Sequence, residues 1–324
     1  MQMCSRATLG EFYIDYGVCA QLAGWRADYG NELERLKMMV DAFSAAGYDY
    51  ATTDASWLAF PHGHQEGGAS VSMNEGGLIY DEASFEAYPW PKAEDFDYSK
   101  LEKIKDYLPD GMKLLVYDPG GLLENVTAVV GYENMCIMLH EEPELAKAIF
   151  DRIGETLVKY FEIAAQFDSV GAIIASDDWG FNTQTLISPD SLRSHVFPWA
   201  RRVVEVGKKY GKPTLLHSCG QLGAVYDDIV DMGFSAKHSY EDVITPVEEA
   251  YEKLHDRIAV FGGIDVDFLS RAEEADIRKR CRAMLERTAD RGGYALGSGN
   301  SIPYYLPMEK YITLLKTALE FDTM

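Results

Sequence analysis

Short β-rich runs recur along the chain, each leading through a turn into an amphipathic helical pattern, and this alternation constrains the fold more than any other feature. The runs are 48–53 (YDYATT), 113–117 (KLLVY), 171–176 (GAIIAS), 214–217 (TLLH), 236–239 (AKHS), 258–261 (IAVF) and 294–296 (YAL), with 12–14 (FYI) as a candidate eighth. Helical patterns fill 32–46, 143–167, 188–210, 247–254, 272–291 and 308–321. Strands that return through a helix must lie parallel, since a tight hairpin only joins antiparallel ones. Seven or eight such units favour closure into a (β/α)8 TIM-type barrel over an open doubly wound sheet. The open alternative would carry a G-x-G-x-x-G turn after its first strand, and none stands there. Barrels of about 250 residues or more fold as one unit, so residues 1–324 are expected to form a single domain. The segment 55–90, rich in glycine and aromatics and weakly periodic, reads as an insertion over one end of the barrel.

Charge narrows the partners. With 52 acidic and 30 basic residues the formal net charge is −22, which repels a phosphate backbone over most of the surface. Nucleic acid is therefore an unsuitable ligand. The opening MQMCSRATLGEFYIDYG lacks a basic region and a continuous apolar stretch, and no run approaches the roughly 18 apolar residues of a membrane span. A soluble, cytoplasmic protein without membrane contact is expected. Cys4, Cys19, Cys136, Cys219 and Cys281 are scattered and odd in number, which argues for reduced thiols rather than a disulfide framework.

In a barrel of this kind the loops at the carboxyl ends of the strands converge on one mouth, so the residues that follow each strand are the candidates for chemistry. They are Asp54 with Trp57, Asp118, Asp177-Asp178-Trp179, His217-Ser218-Cys219, Tyr240-Glu241-Asp242, Asp265, and Asn300 with Tyr304 and Tyr305. Asp54, Asp177 and Glu241 are candidate general acids, bases or ligands, because carboxylates in a partly dry mouth raise one another's proton affinity. The competing role for such residues is capping of the following helix. Only one of Asp177 and Asp178 can easily face inward. Trp57, Trp179, Asn300 and Tyr304 are candidate substrate-binding residues, and the aromatics among them serve equally well as core or lid packing. His217 and Cys219, at i and i+2, point the same way if the strand continues. Imidazole and thiolate both suit zinc, but a pair falls short of the three or four ligands a site needs. A strand-end histidine bonded to backbone beside a small buried cysteine is the other reading.

The run LLHSCGQL, the acidic HSYED, then RIAVFGGIDVDFL and GGYALGSGNSIPYYLPMEKY resemble successive signatures of the uroporphyrinogen decarboxylase superfamily, from about Ser176 to the end. The resemblance implies a (β/α)8 barrel and one of two activities: porphyrinogen decarboxylation, or cobalamin-dependent methyl transfer. The decarboxylases carry an arginine-rich R-Q-A-G-R-Y segment near the N-terminus, whereas this chain reads FYIDYGVCAQLAGWRADYG with Arg26 alone there. Asp54 matches the decarboxylase aspartate that binds pyrrole nitrogens. The methyltransferase branch holds zinc with a His-x-Cys pair, matched by His217 and Cys219, and with a second cysteine after the last strand, where Asn300 stands instead. The resemblance thus implies zinc completed by an oxygen ligand, Glu241 or Asp177. The acidic rim discourages anionic donors, so for methyl transfer a small methoxylated aromatic or methylamine fits better than a phosphate ester. The corrinoid would be supplied by a separate partner protein, since no D-x-H-x-x-G signature occurs; the stretch 62–68 (HGHQEGG) has the wrong spacing and reads as a loop. A carboxy-lyase of the decarboxylase type and a non-catalytic ligand-binding barrel are the alternatives.

Overall fold

The computed structural model describes residues 7–25, 30–63 and 73–321. Seven strands form one parallel sheet in chain order: β2 (Tyr50–Asp54), β3 (Lys113–Tyr117), β4 (Val170–Ser176), β5 (Thr214–His217), β6 (Ala236–His238), β7 (Ala259–Phe261) and β8 (Tyr294–Ala295). A separate two-stranded parallel sheet pairs β1 (Tyr13–Ile14) with β9 (Ser301–Ile302). All seven runs predicted to be central strands are strands. The candidate eighth, 12–14, pairs with β9 rather than joining the main sheet. The chain just before it nonetheless occupies the gap between the sheet's two edges. Gly10 N donates to Leu296 O and Leu296 N to Thr8 O, both at 2.8 Å, while Thr52 Oγ1 of β2 donates to Phe12 O at 2.6 Å. The architecture is a TIM-type α/β barrel whose eighth stave is an irregular N-terminal segment.

Strand alternation decides what the barrel holds. Leu115, Ala172, Ile174, Leu215, Ala236, Phe261 and Ala295 fill the interior around Phe12, which stacks on Phe261 with ring centroids 4.5 Å apart. The intervening Leu114, Val116, Ile173, Leu216 and Val260 pack outward beneath the helices. Both faces are apolar because both are covered, as parallel sheets require. The same parity carries His217, two residues after Leu215, and His238, two after Ala236, toward the barrel axis. Register places them side by side, since His217 pairs with His238 across β5 and β6.

Helix Glu32–Ala46 begins at Asn31, whose side chain accepts from Glu34 N, and ends at Gly47 in the left-handed region (φ 89°). The predicted helix 188–210 is interrupted by a π turn over Leu192–Val196 before it continues as Phe197–Lys209. The described part of the insertion is tied to helix Leu122–Val130, where Leu78 N and Ile79 N both donate to Val129 O. The remainder of the 62–68 stretch beyond Gly63 lies outside the described residues, as do Cys4 and Arg26. Among the described residues no helix is long and apolar enough to cross a membrane.

Candidate metal centre at the barrel mouth

His217 closes β5 and Cys219 follows in a loop that is pinned to the loop after β4. Gly220 sits at φ 91°, and a Cβ there would fall 2.2 Å from the carbonyl carbon and oxygen of Gly180, so two glycines make the contact. Trp179 N donates to Ser218 Oγ at 3.1 Å and Gln221 N to Phe181 O at 2.7 Å. This clamp brings Asp178 onto the cysteine loop, where its Oδ1 accepts from Cys219 N at 2.8 Å. His217 Nε2 lies 3.9 Å from Asp178 Oδ1 and 3.6 Å from Cys219 Sγ. One ligand atom from each of Asp178, His217 and Cys219 falls within 4.8 Å of the others, and no second such group occurs among the described residues.

The surroundings tune this cluster. Ser239 Oγ donates to Cys219 Sγ at 3.2 Å and Asn300 Nδ2 does so at 3.4 Å. Ser239 is the sole non-glycine residue with positive φ (82°) among the described residues, a conformation costing about 1–3 kcal/mol that aims its hydroxyl at the sulfur. Burial, opposed only in part by Asp178, holds the His217 imidazole down at about 4, so at ordinary pH it is in the neutral form that can ligate a metal. Burial and repulsion by Asp178 push the Cys219 thiol up to about 12. A bound cation reverses that repulsion and favours the thiolate. Nitrogen, sulfur and carboxylate oxygen are a donor set that fits zinc, and these three residues would hold it. Beneath the cluster, the buried Lys237 ammonium donates to Ser218 O at 3.2 Å and to Ser239 O, and lies 4.2 Å from the Tyr240 ring centroid. It thereby ties together the loops that carry Cys219 and Ser239.

The other predicted site residues distribute differently. Asp177 points away from the axis: its oxygens accept from Leu123 N (3.0 Å), Glu124 N (3.1 Å) and Trp179 Nε1 (2.7 Å), which makes it an anchor for the start of helix Leu122–Val130. The reason is parity, since Ile174 and Ser176 face inward and the next inward position is Asp178. Trp179 is buried in the core and presents no face to the mouth. Glu241 stands outside the three-residue cluster and lines a cavity of about 730 Å³ with Asp242, Asp265, Phe268, Asn300 and Tyr305. Tyr304 and Trp57 are exposed. A second cavity, about 360 Å³, is lined by Tyr13, Tyr16, Tyr117, Tyr304 and Met39. It reaches the cluster through Tyr13, whose ring stands perpendicular to that of His217 with centroids 5.2 Å apart.

Asp54 is occupied by cations, with Arg35 Nη2 at 3.1 Å and Lys100 Nζ at 2.6 Å. The Arg35 guanidinium lies 4.8 Å from the Trp57 ring centroid, so this tryptophan packs on an ion pair. All three charges are mostly buried. Asp54→Ala, which takes the carboxylate from Arg35 and leaves Lys100 with Glu32 alone at 3.3 Å, is expected to lower stability by about 3 kcal/mol in urea unfolding while leaving any bound metal in place.

A profile of the family described as uroporphyrinogen decarboxylase matches residues 102–321. The chain belongs to the uroporphyrinogen decarboxylase family. Within it, the chain is 24% identical over 193 residues to a methylated-thiol–coenzyme M methyltransferase of Methanosarcina mazei, covering 59% of this chain and 49% of that protein. It is also 24% identical over 227 residues to a uroporphyrinogen decarboxylase of Anaeromyxobacter dehalogenans, covering 68% of this chain and 62% of that one. The chain thus spans roughly half the length of the curated family relatives it matches. Among solved structures, a methyltransferase from Methanosarcina mazei superposes with a TM-score of 0.70 at 15% identity, covering 99% of this chain and 95% of the other, and so shares the fold.

Sequence reasoning missed Asp178 as the third member of the cluster, and it missed the partners His238, Ser239 and Lys237. Counting inward positions along β4 would have chosen Asp178 over Asp177.

Proposed function

We propose that this chain is a zinc-dependent methyltransferase that moves a methyl group between a small donor and a corrinoid carried by a separate protein. The observation that carries the reading is the convergence of His217 Nε2, Cys219 Sγ and the Asp178 carboxylate at the mouth of the barrel. Zinc held by these three residues would supply a Lewis acid for the heteroatom from which the methyl group departs. Ser239 and Asn300 hold the sulfur in place and moderate its charge, and Asn300 stands where a second thiolate would otherwise be expected. Glu241 remains a candidate proton carrier or substrate contact from the adjoining cavity rather than a ligand.

The tyrosine-lined cavity beside His217 suits a compact donor with an aromatic ring or a methylated ammonium, since ring faces attract both. Exposed Trp57, Phe181, Val243, Tyr304 and Tyr305 follow strands around the mouth and offer apolar surface to a macromolecular methyl carrier. The free thiols of Cys19, Cys136, Cys219 and Cys281 suit the reducing cytoplasm. Decarboxylation of a tetrapyrrole is the weaker reading, because Asp54 already satisfies Arg35 and Lys100.

The test is methyl transfer from a methylamine or a methoxylated phenol to cob(I)alamin, followed by the absorbance change of the corrinoid. Zinc-loaded protein is expected to transfer and chelated protein is not; equal rates with and without zinc would overturn the zinc-dependent reading. The proton count offers an independent check. With His217 neutral above about pH 5 and the Cys219 thiol protonated below about 12, zinc binding releases one proton, from sulfur. Zinc affinity should therefore rise about tenfold per pH unit between roughly pH 6 and 8, and calorimetry in buffers of different ionisation enthalpy should report about one proton per metal.

A further inference from the structure

We infer that Glu11 and His238 are positioning residues that lock His217 in the tautomer whose Nε2 lone pair faces Cys219 and Asp178, an inference that rests on His217 being a metal ligand. Its foundation is a chain of buried hydrogen bonds across the barrel. His217 Nδ1 and His238 Nδ1 are 2.8 Å apart, so a single proton lies between them. The far nitrogen of His238, Nε2, is 3.3 Å from Ser298 O. A carbonyl oxygen only accepts, so Nε2 of His238 carries a hydrogen. In a neutral ring that leaves Nδ1 as an acceptor, and the proton between the two rings belongs to His217 Nδ1. His217 Nε2 is then left with its lone pair, directed at the sulfur and carboxylate. His238 has no exposed surface at all, and two charged imidazoles at this separation in a dry interior would carry a prohibitive desolvation cost.

The far end of the chain is fixed by an acid with no cationic partner among the described residues. Glu11, also without exposed surface, accepts from Ser298 N through Oε2 and from Ser298 Oγ through Oε1, both at 3.0 Å, and from Phe12 N at 3.3 Å. The two residues are 287 positions apart in sequence. Ser298 O also accepts from Gly263 N at 2.7 Å. Gly262, at φ 72°, leaves room for this meeting, since a Cβ there would fall 2.3 Å from Ser298 O and 2.9 Å from His238 Nε2. Burial pushes the Glu11 carboxyl up to about 8, so it sits largely as the neutral acid at pH 7. Its effect here is to hold one carbonyl in place, and that carbonyl sets the proton on His238 and through it the lone pair on His217. Such outer partners commonly change metal affinity by about 10–100-fold.

The test uses the metal-free chain with 15N-labelled histidine, in which long-range 1H–15N correlations read each tautomer directly. Wild-type His217 is expected to carry its hydrogen on Nδ1; an Nε2–H form would overturn the proposal. In His238→Phe the His217 tautomers should mix and the zinc Kd should rise by about 10–100-fold. Glu11→Ala, which removes both oxygens that accept from Ser298, should shift the His217 tautomer and raise the zinc Kd by about tenfold. Should that variant fail to fold, Ser298→Ala removes only the hydroxyl bond and should move both readouts in the same direction. A folded Glu11→Ala or Ser298→Ala protein with both tautomer and zinc Kd unchanged would reduce Glu11 to a structural brace and overturn its assignment. The tautomer is read without zinc, donor or corrinoid, so absence of methyl transfer would sink the proposed activity while leaving this measurement to stand or fall separately.

Discussion

Cys219→Ala is expected to yield a folded protein whose affinity for zinc has dropped by more than about 100-fold, beyond the 10–100-fold typical of outer partners. Among the described residues only Ser239 and Asn300 donate side-chain hydrogen bonds to the sulfur, and Cys219 and Asn300 are partly exposed, so the thermal midpoint should move little. Metal content is the sensitive readout. Elemental analysis of protein purified without chelator should find about one zinc per chain in the wild type and almost none in the variant. A wild-type protein without stoichiometric zinc, or a variant that keeps it, would remove the basis for metal-assisted transfer. Methyl transfer should disappear together with the metal.

The adjacent acids Asp177 and Asp178 should give opposite phenotypes when changed to alanine. Asp177 is wholly enclosed and receives two backbone N–H groups from the start of helix Leu122–Val130 together with the Trp179 indole. Its removal strands three buried donors, each worth about 1–3 kcal/mol, so a loss of at least about 3 kcal/mol in urea unfolding is expected. Asp178 is partly exposed and supports one backbone N–H, that of Cys219. Its alanine variant should unfold within about 1–2 kcal/mol of wild type yet lose zinc. If Asp177→Ala proves the milder change in stability and the more damaging to metal content, the inward and outward assignments are reversed.

These two acids show where the sequence is legible and where it is not. Strand existence followed from apolar runs of four to seven residues between turns, because a parallel sheet buried on both faces must be continuously apolar. His217 and Cys219 were readable as a pair from their spacing alone. Choosing among Asp177, Asp178 and Glu241 needed the phase of the strand as well as its presence, and phase emerges only when the inward set Ala172, Ile174 and Ser176 is known. Glu11 and Ser298 lie at opposite ends of the chain and meet because the barrel closes there, so no local pattern announces them. Trp179 was ambiguous for a different reason: an indole with a buried hydrogen-bond partner is as good a core residue as a ligand-facing one.

The meeting of Gly180 and Gly220 leaves space for no methyl group between the two loops that deliver Asp178 and Cys219. Those loops therefore cannot slide or part without tearing their shared hydrogen bonds, and the electrophilic half of the mouth behaves as a fixed jaw. Accommodation of a bulkier or slimmer donor falls to the opposite jaw, residues 303–305, where Tyr304 and Tyr305 are exposed. Substitutions there can retune which molecule enters while the metal-binding hardware stays as it is.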